Sequence, residues 1–187
     1  MEAADEQLML AYRDGDASAF ETLYARHRAR VFRFVLRSVP ARGVAEELFQ
    51  DVWMKVIEAR TRYAPSAKFT TWLYTIAHHR LVDHWRKRGL SLVSLDAEEG
   101  GAPEPAAPPL SDPARRAALN QDIARLLAAI AALPPVQREA FLLHEEAGLS
   151  VPEIAEATGA SVEAAKSRLR YATAKLREAL GEGNADG

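Results

Sequence analysis

Apolar positions recur at helical spacing along most of the chain. Phe20, Leu23, Tyr24, His27, Val31, Phe34 and Val35 share one face of a 3.6-residue helix, with Asp16 or Ser18 available as its cap after Gly15. Pro40 to Gly43 interrupts that run, and a second helix follows with Val44, Leu48, Val52 and Val56 in one row and Phe49, Trp53 and Ile57 in the next. A third run extends from Phe69 toward Arg88. Its spacing turns Phe69, Trp72, Leu73, Ile76 and Ala77 inward and leaves Tyr74, His78, His79, Asp83, Trp85 and Arg86 to solvent or a partner. The last stripe, Ala165, Leu169, Ala172 and Leu176, belongs to a helix opening at Ser161. The pattern predicts an all-α protein.

The window Ser150–Leu176 carries the densest local punctuation. Ser150 can cap a helix with Glu153 returning the bond, and Pro152 falls in the first turn, where its missing N–H costs nothing. Thr158-Gly159-Ala160 breaks that helix, because glycine takes positive φ without steric penalty, and Ser161 can cap the next. Two short helices around a tight turn read as a helix-turn-helix. The second carries Lys166, Arg168 and Arg170, followed by Lys175 and Arg177. Lys166, Ser167 and Arg170 lie opposite the apolar stripe and suit a major groove, since arginine and lysine bond guanine edges or phosphates and serine bonds either. A helical hairpin with a solvated basic face has the same periodicity. The coincidence of capping box, glycine turn and basic helix favours DNA.

Net charge is only −2 over 187 residues, which looks unpromising for a nucleic-acid binder until it is divided along the chain. Residues 1–90 hold 15 Lys+Arg against 11 Asp+Glu, whereas residues 91–112 hold no base and five acids, Asp96, Glu98, Glu99, Glu104 and Asp112, among glycines and prolines. Such a composition buries no core and reads as an acidic linker, although a surface loop would also be acidic. Two helical domains are therefore expected, residues 5–90 and 113–181, joined by 91–112. There is no cysteine, which excludes disulfides and thiolate metal sites. The most apolar tract, Leu126 to Val136, is too short to span a bilayer and contains Pro134-Pro135, and the acidic N-terminus lacks a signal-peptide charge pattern. A soluble cytoplasmic protein without membrane insertion is expected.

Two further constellations carry candidate chemistry. Glu47, Gln50, Asp51, Met54 and Glu58 recur at helical spacing on the polar side of the second helix, a mainly acidic stripe that spacing alone does not distinguish from a solvated face. In the third run aromatics interleave with cations, as stacking on unpaired bases and pairing with phosphate require, although Phe69 and Trp72 suit a core equally. His27 falls in an apolar stripe and reads as a packed histidine. His78, His79 and His84 raise a metal question, but adjacent histidines point about 100° apart on a helix and no HExxH pair exists. With no nucleophile–base spacing either, neither catalysis, metal nor cofactor is expected.

As an ordered set, EELFQDVWMKV (46–56), FTTWLYTIAHHRLVDHWRKR (69–88), the acidic linker and the terminal helix-turn-helix resemble a bacterial RNA polymerase sigma factor of the extracytoplasmic-function group, from about Leu8 to Leu180. The resemblance implies that a helical region 2 docks on the polymerase clamp and opens the minus-ten element, and that region 4 reads the minus-thirty-five element. The acidic region 1.1 and folded region 3 of larger sigma factors are not expected. By the same resemblance Glu47, Gln50 and Asp51 meet the clamp, with Lys55 at the margin, and the Thr61–Lys68 loop captures a flipped non-template base. Tyr63 is then expected to stack and Lys68 to contact phosphate, with His79, Arg80 and Asp83 near the upstream edge of the minus-ten element. The histidine pair replaces an asparagine-type residue there. Lys166, Ser167, Arg168 and Arg170 would face minus-thirty-five DNA. Implied partners are polymerase core at clamp and flap, promoter DNA both double-stranded and melted, and an anti-sigma factor. The rival reading is a one-component helix-turn-helix repressor that binds operator DNA without polymerase, often as a dimer; a helical metalloenzyme built on the histidines is a third.

Overall fold

The amphipathic stripes resolve into eight α-helices in a computed structural model that describes residues 3–89 and 113–181. They are α1 Asp5–Arg13, α2 Ala17–Ser38, α3 Arg42–Ala59, α4 Phe69–Lys87, α5 Pro113–Ala131, α6 Pro135–Glu145, α7 Val151–Thr158 and α8 Val162–Gly181, with a 3-10 turn at Arg60–Arg62. The all-helical expectation holds. The expected linker, 91–112, lies outside the described residues. Among the described residues no helix is long and apolar enough to cross a membrane.

Local chemistry explains where the helices begin. The Asp16 carboxylate accepts from the N–H of Ser18 at 2.9 Å and of Ala19 at 3.4 Å, satisfying two orphan donors at the start of α2. The bond from the Ser18 hydroxyl, with that from its N–H, holds the Asp16 carboxyl below its ordinary value. α2 and α3 then lock through edge-to-face aromatics: Trp53 of α3 lies 5.9 Å from Phe20 and 4.9 Å from Tyr24. α1 closes the other side of α2. Its Asp5 accepts from Arg26 at 2.7 Å and sits 2.6 Å from His27 Nε2, so the buried His27 is a packed, hydrogen-bonded residue.

For α4 the one-sided burial expected from its periodicity is wrong. Tyr74, His78 and Trp85, assigned to solvent or a partner, are all buried. The reason is topological: α1, α2, α3 and α7 all pack against α4, so more than one stripe is covered. A helix enclosed in this way loses the simple correspondence between period and exposure. His79 and Arg86 remain exposed, and Asp83 is half-buried.

In the C-terminal half Pro134 and Pro135 end one helix and start the next, proline being suited to the first helical turn. Arg138 of α6 is buried and reaches back to the carbonyls of Ala131 and Leu133, the latter at 2.9 Å, and to Ser38 at the end of α2 at 3.4 Å. One guanidinium thus serves carbonyls near the ends of two helices, groups otherwise left without partners. Buried apolar residues from both halves, Leu23 and Leu73 on one side and Leu142 and Ala165 on the other, belong to one continuous cluster.

Candidate functional site

Three surfaces bring together the polar side chains that the sequence singled out. The first is the helix-turn-helix. The Glu153 carboxylate accepts from the Ser150 N–H at 2.8 Å and its hydroxyl at 2.7 Å, Pro152 occupies the first turn of α7, and Gly159 ends that helix at φ 63°. A side chain at this left-handed position would be strained, so the turn needs glycine. Ser161 Oγ then accepts from the Ala164 N–H at 3.1 Å and opens α8. Ala165, Ala172 and Leu176 are buried and Leu169 half-buried, as the stripe requires. Lys166 and Arg170 are exposed on the other side, with Ser167 and Arg168 half-buried. Two residues of this surface escaped the sequence reading. Val162 extends the 165/169/172/176 repeat by one step, which assigns it to the core, yet it is 48% exposed; Tyr171 is 51% exposed, and the Arg170 guanidinium lies 5.0 Å from its ring centroid.

The second surface is the polar side of α3. Glu47, Gln50 and Asp51 are exposed together with Met54, and none of the three polar residues forms an ion pair among the described residues. Lys55 is held by Glu58 at 2.7 Å, at the margin of the stripe. On α5 a further row, Leu119, Ile123 and Leu126, is exposed at helical spacing.

The third is the loop between the 3-10 turn and α4. Tyr63 was expected to present its ring to a base, but it is 3% exposed, edge-on to Trp72 at 5.0 Å and to Phe69 at 6.4 Å. Burial, followed by the nearby Glu6 and Asp5 charges, pushes its phenol up to about 12. The ring anchors the loop from inside, because Trp72 and Phe69 of the first turn of α4 offer it an apolar seat. Lys68 is exposed, but its ammonium is 2.8 Å from Glu153 of α7. His79 is exposed on α4, and Arg80 pairs with Asp83 at 2.7 Å one turn apart. Desolvation, then neighbouring His78, lowers the His79 pKa.

These surfaces are not independent, since acidic residues of the C-terminal half reach basic residues of the N-terminal half. Besides Lys68–Glu153, His78 Nδ1 meets Glu139 of α6 at 2.8 Å, both buried, and Glu146 at the end of α6 takes Arg33 at 2.9 Å and Arg37 from α2. Glu153 responds to its surroundings: the bond from Lys68, then those from Ser150, holds its carboxyl down at about 2, and the same contact raises Lys68. The carboxyl's reference value is 4.5, so its stabilising effect is complete above about pH 5 and is lost as pH falls toward 2. Melting curves between pH 6 and pH 2 should show wild type losing more stability than Glu153→Gln. Parallel pH dependence would mean that these bonds contribute nothing.

Residues 23–90 match the family description Sigma-70 region 2, and residues 123–176 match Sigma-70, region 4. Among characterised relatives, RNA polymerase sigma factor CarQ of Myxococcus xanthus is 39% identical over 93% of this chain and 96% of its own. The ECF RNA polymerase sigma factor SigK of Mycolicibacterium vanbaalenii is 34% identical over 89% and 84%. Among solved structures, CnrH in complex with the cytosolic domain of CnrY superposes with a TM-score of 0.69 at 24% identity, covering 99% of this chain and 100% of that one. The sigma factor RpoE in complex with the anti-sigma factor NepR, from Bartonella quintana, gives 0.67 at 24% identity, over 90% and 98%. At such identity these structures speak to the fold.

Proposed function

Because the chain belongs to the extracytoplasmic-function group of RNA polymerase sigma factors, with regions 2 and 4, we propose that its three surfaces divide the work of promoter recognition. The exposed acidic side of α3, Glu47, Gln50 and Asp51 with Lys55 at its edge, docks on the basic clamp of polymerase core. The apolar row Leu119, Ile123 and Leu126 on α5 is the surface available to the flap, since an apolar row exposed among the described residues suits a protein partner. Lys68, His79, Arg80 and Asp83 contact the minus-ten element, and Lys166, Ser167, Arg168 and Arg170 the minus-thirty-five element. Residues 5–90 and 113–181 act as two domains on either side of the 91–112 linker. No catalytic group is needed, because polymerase performs the chemistry and the sigma factor supplies binding energy for unstacking bases, a few kcal/mol each. The protein works in the cytoplasm, where its polymerase is. The complexes of CnrH with CnrY and of RpoE with NepR support a comparable protein inhibitor for this chain.

The observation that carries this reading is the pairing of an exposed acidic face on α3 with an exposed basic face on α8, one suited to a basic protein and the other to DNA. The test is to mix the purified chain with polymerase core and a random promoter library. Specific initiation is expected; operator binding without polymerase and no initiation would favour the repressor.

The same assay resolves α8. If Arg170 reads a base edge, Arg170→Ala costs about 1–3 kcal/mol on the preferred sequence and flattens discrimination at one position. If it neutralises phosphate, binding falls evenly and the logarithmic salt slope drops by about one. Val162 stands at the start of the recognition helix, where base contacts concentrate, and an exposed valine there suits a thymine methyl. Replacing single thymines by uracil identifies that contact, since Val162→Ala then has no further effect. Selection unchanged by both Lys166→Ala and Arg170→Ala would place the wrong face of α8 in the groove.

A further inference from the structure

The loop between the 3-10 turn and α4 is held at both ends by α1. At its entry the Arg60 guanidinium lies 5.4 Å from the ring centroid of Tyr12. At its exit the Phe69 N–H donates to Glu6 Oε1 at 2.6 Å. α1 is itself fixed to α2: Met9 and Tyr12 are buried, the Tyr12 ring lies 4.8 Å from that of Phe20, and Asp5 holds both Arg26 and His27. Glu6, half-buried, is therefore delivered to the first turn of α4 from a packed neighbour.

The bond stands where α4 begins. Lys68 is extended, at φ −58° and ψ 143°, and its carbonyl accepts the Trp72 N–H at 3.1 Å as the helix opens. Its side chain has only donors, so it cannot satisfy the free N–H groups of the first turn. The sequence also encodes an earlier start. Ser66 follows Pro65, and serine is a strong N-cap whose hydroxyl takes the N–H two or three residues on; three residues on from Ser66 is Phe69. Glu6 and Ser66 thus compete for one N–H. With Ser66 as cap, Ala67 and Lys68 would become the first helical residues, and ψ of Lys68 would turn from 143° to about −42°, carrying its side chain away from the loop. A carboxylate accepts an N–H more strongly than a hydroxyl does, which favours the start at Phe69 that the chain adopts.

We propose that Glu6 is a positioning residue for promoter opening: by taking the Phe69 N–H it fixes the start of α4 and keeps Lys68 outside the helix, where Lys68 meets the minus-ten strand. This deepens the function proposed above and rests on its assignment of Lys68. A direct electrostatic role for Glu6 has the opposite sign. DNA is a polyanion, so an acid beside its surface repels it, and removing that acid should tighten binding. If Glu6 positions Lys68, removing it loosens binding, because apparent affinity falls with the fraction of chains that start α4 at Phe69.

The test uses the full chain, free and assembled with polymerase core. Glu6→Leu removes the acceptor, whereas Glu6→Gln keeps an oxygen acceptor and removes only the charge. The probe is a single-stranded minus-ten oligonucleotide taken from a promoter selected with the wild-type holoenzyme. One N-cap shifts a helix start by about fivefold, so Glu6→Leu holoenzyme is expected to bind the oligonucleotide and to open duplex promoter about fivefold less well. Glu6→Gln should recover most of that loss, and all three proteins should bind core and minus-thirty-five duplex equally. In spectra of the free chain, the Cα chemical shifts of Ala67 and Lys68 should move toward helical values in Glu6→Leu and stay extended in Glu6→Gln, a change that a general loss of stability does not produce. Unchanged or tighter oligonucleotide binding by Glu6→Leu, a Glu6→Gln variant as impaired as Glu6→Leu, or unmoved shifts at Ala67 and Lys68 would overturn the positioning role. Failure of the wild type to bind core or the oligonucleotide would instead overturn the function proposed above, so the two failures are distinguishable.

Discussion

Reversing Glu47 and Asp51 to lysine should weaken the complex with polymerase core by about a hundredfold. Each reversal removes an attraction to the basic clamp and adds a repulsion, and a cost of about 1.4 kcal/mol at each site gives that factor. Both side chains are exposed on α3 and form no ion pair among the described residues, so helix content should not change. A titration of core with labelled protein measures the loss, and circular dichroism checks the fold. The loss should shrink as salt rises, because charges at an exposed rim are screened. Unchanged affinity would remove α3 from the docking surface.

Tyr63→Ala should destabilise the chain by about 3–5 kcal/mol, the range for deleting a buried aromatic ring, and lower its melting temperature by roughly 10 °C. The ring is 3% exposed against Trp72 and Phe69, and its hydroxyl is buried without a hydrogen-bond partner among the described residues. Tyr63→Phe should consequently be neutral within about 0.5 kcal/mol, since it deletes an unpaired polar atom and leaves the packing. Thermal melts of both variants give the comparison. Equal melting of Tyr63→Ala and wild type would show that the ring is not interior, and would return it to the minus-ten surface. Promoter opening by Tyr63→Ala should suffer with stability, because the loop that carries Lys68 loses its anchor, and a pre-melted promoter should rescue much of it.

Much of the helix-turn-helix was legible because its signals are local. Ser150, Glu153, Pro152, Gly159 and Ser161 act over three or four residues, and each took the place that its chemistry requires. The exposed stripe on α3 was legible for a related reason: α3 buries its apolar rows and leaves the far side open, so periodicity and exposure agree. α4 broke that agreement. Packed against four other helices, it buried Tyr74, His78 and Trp85, and it took Tyr63 inward, which period alone could not register.

Residue order by itself determined the helical class, the capped turn before α8, the amphipathic face of α3 and the division of charge along the chain, because each depends on neighbours within a turn or two of helix. Contacts between distant residues were decided by the tertiary structure. Glu6 of α1 accepts the Phe69 N–H at 2.6 Å and so caps α4, where the chain before α4 offers no side-chain cap. Glu139, Glu146 and Glu153 find His78, Arg33, Arg37 and Lys68 from the other half of the chain. A lone carboxylate in a sequence does not name its partner. Which cation it meets depends on how the helices pack, and that packing is set by apolar faces that carry no information about charge.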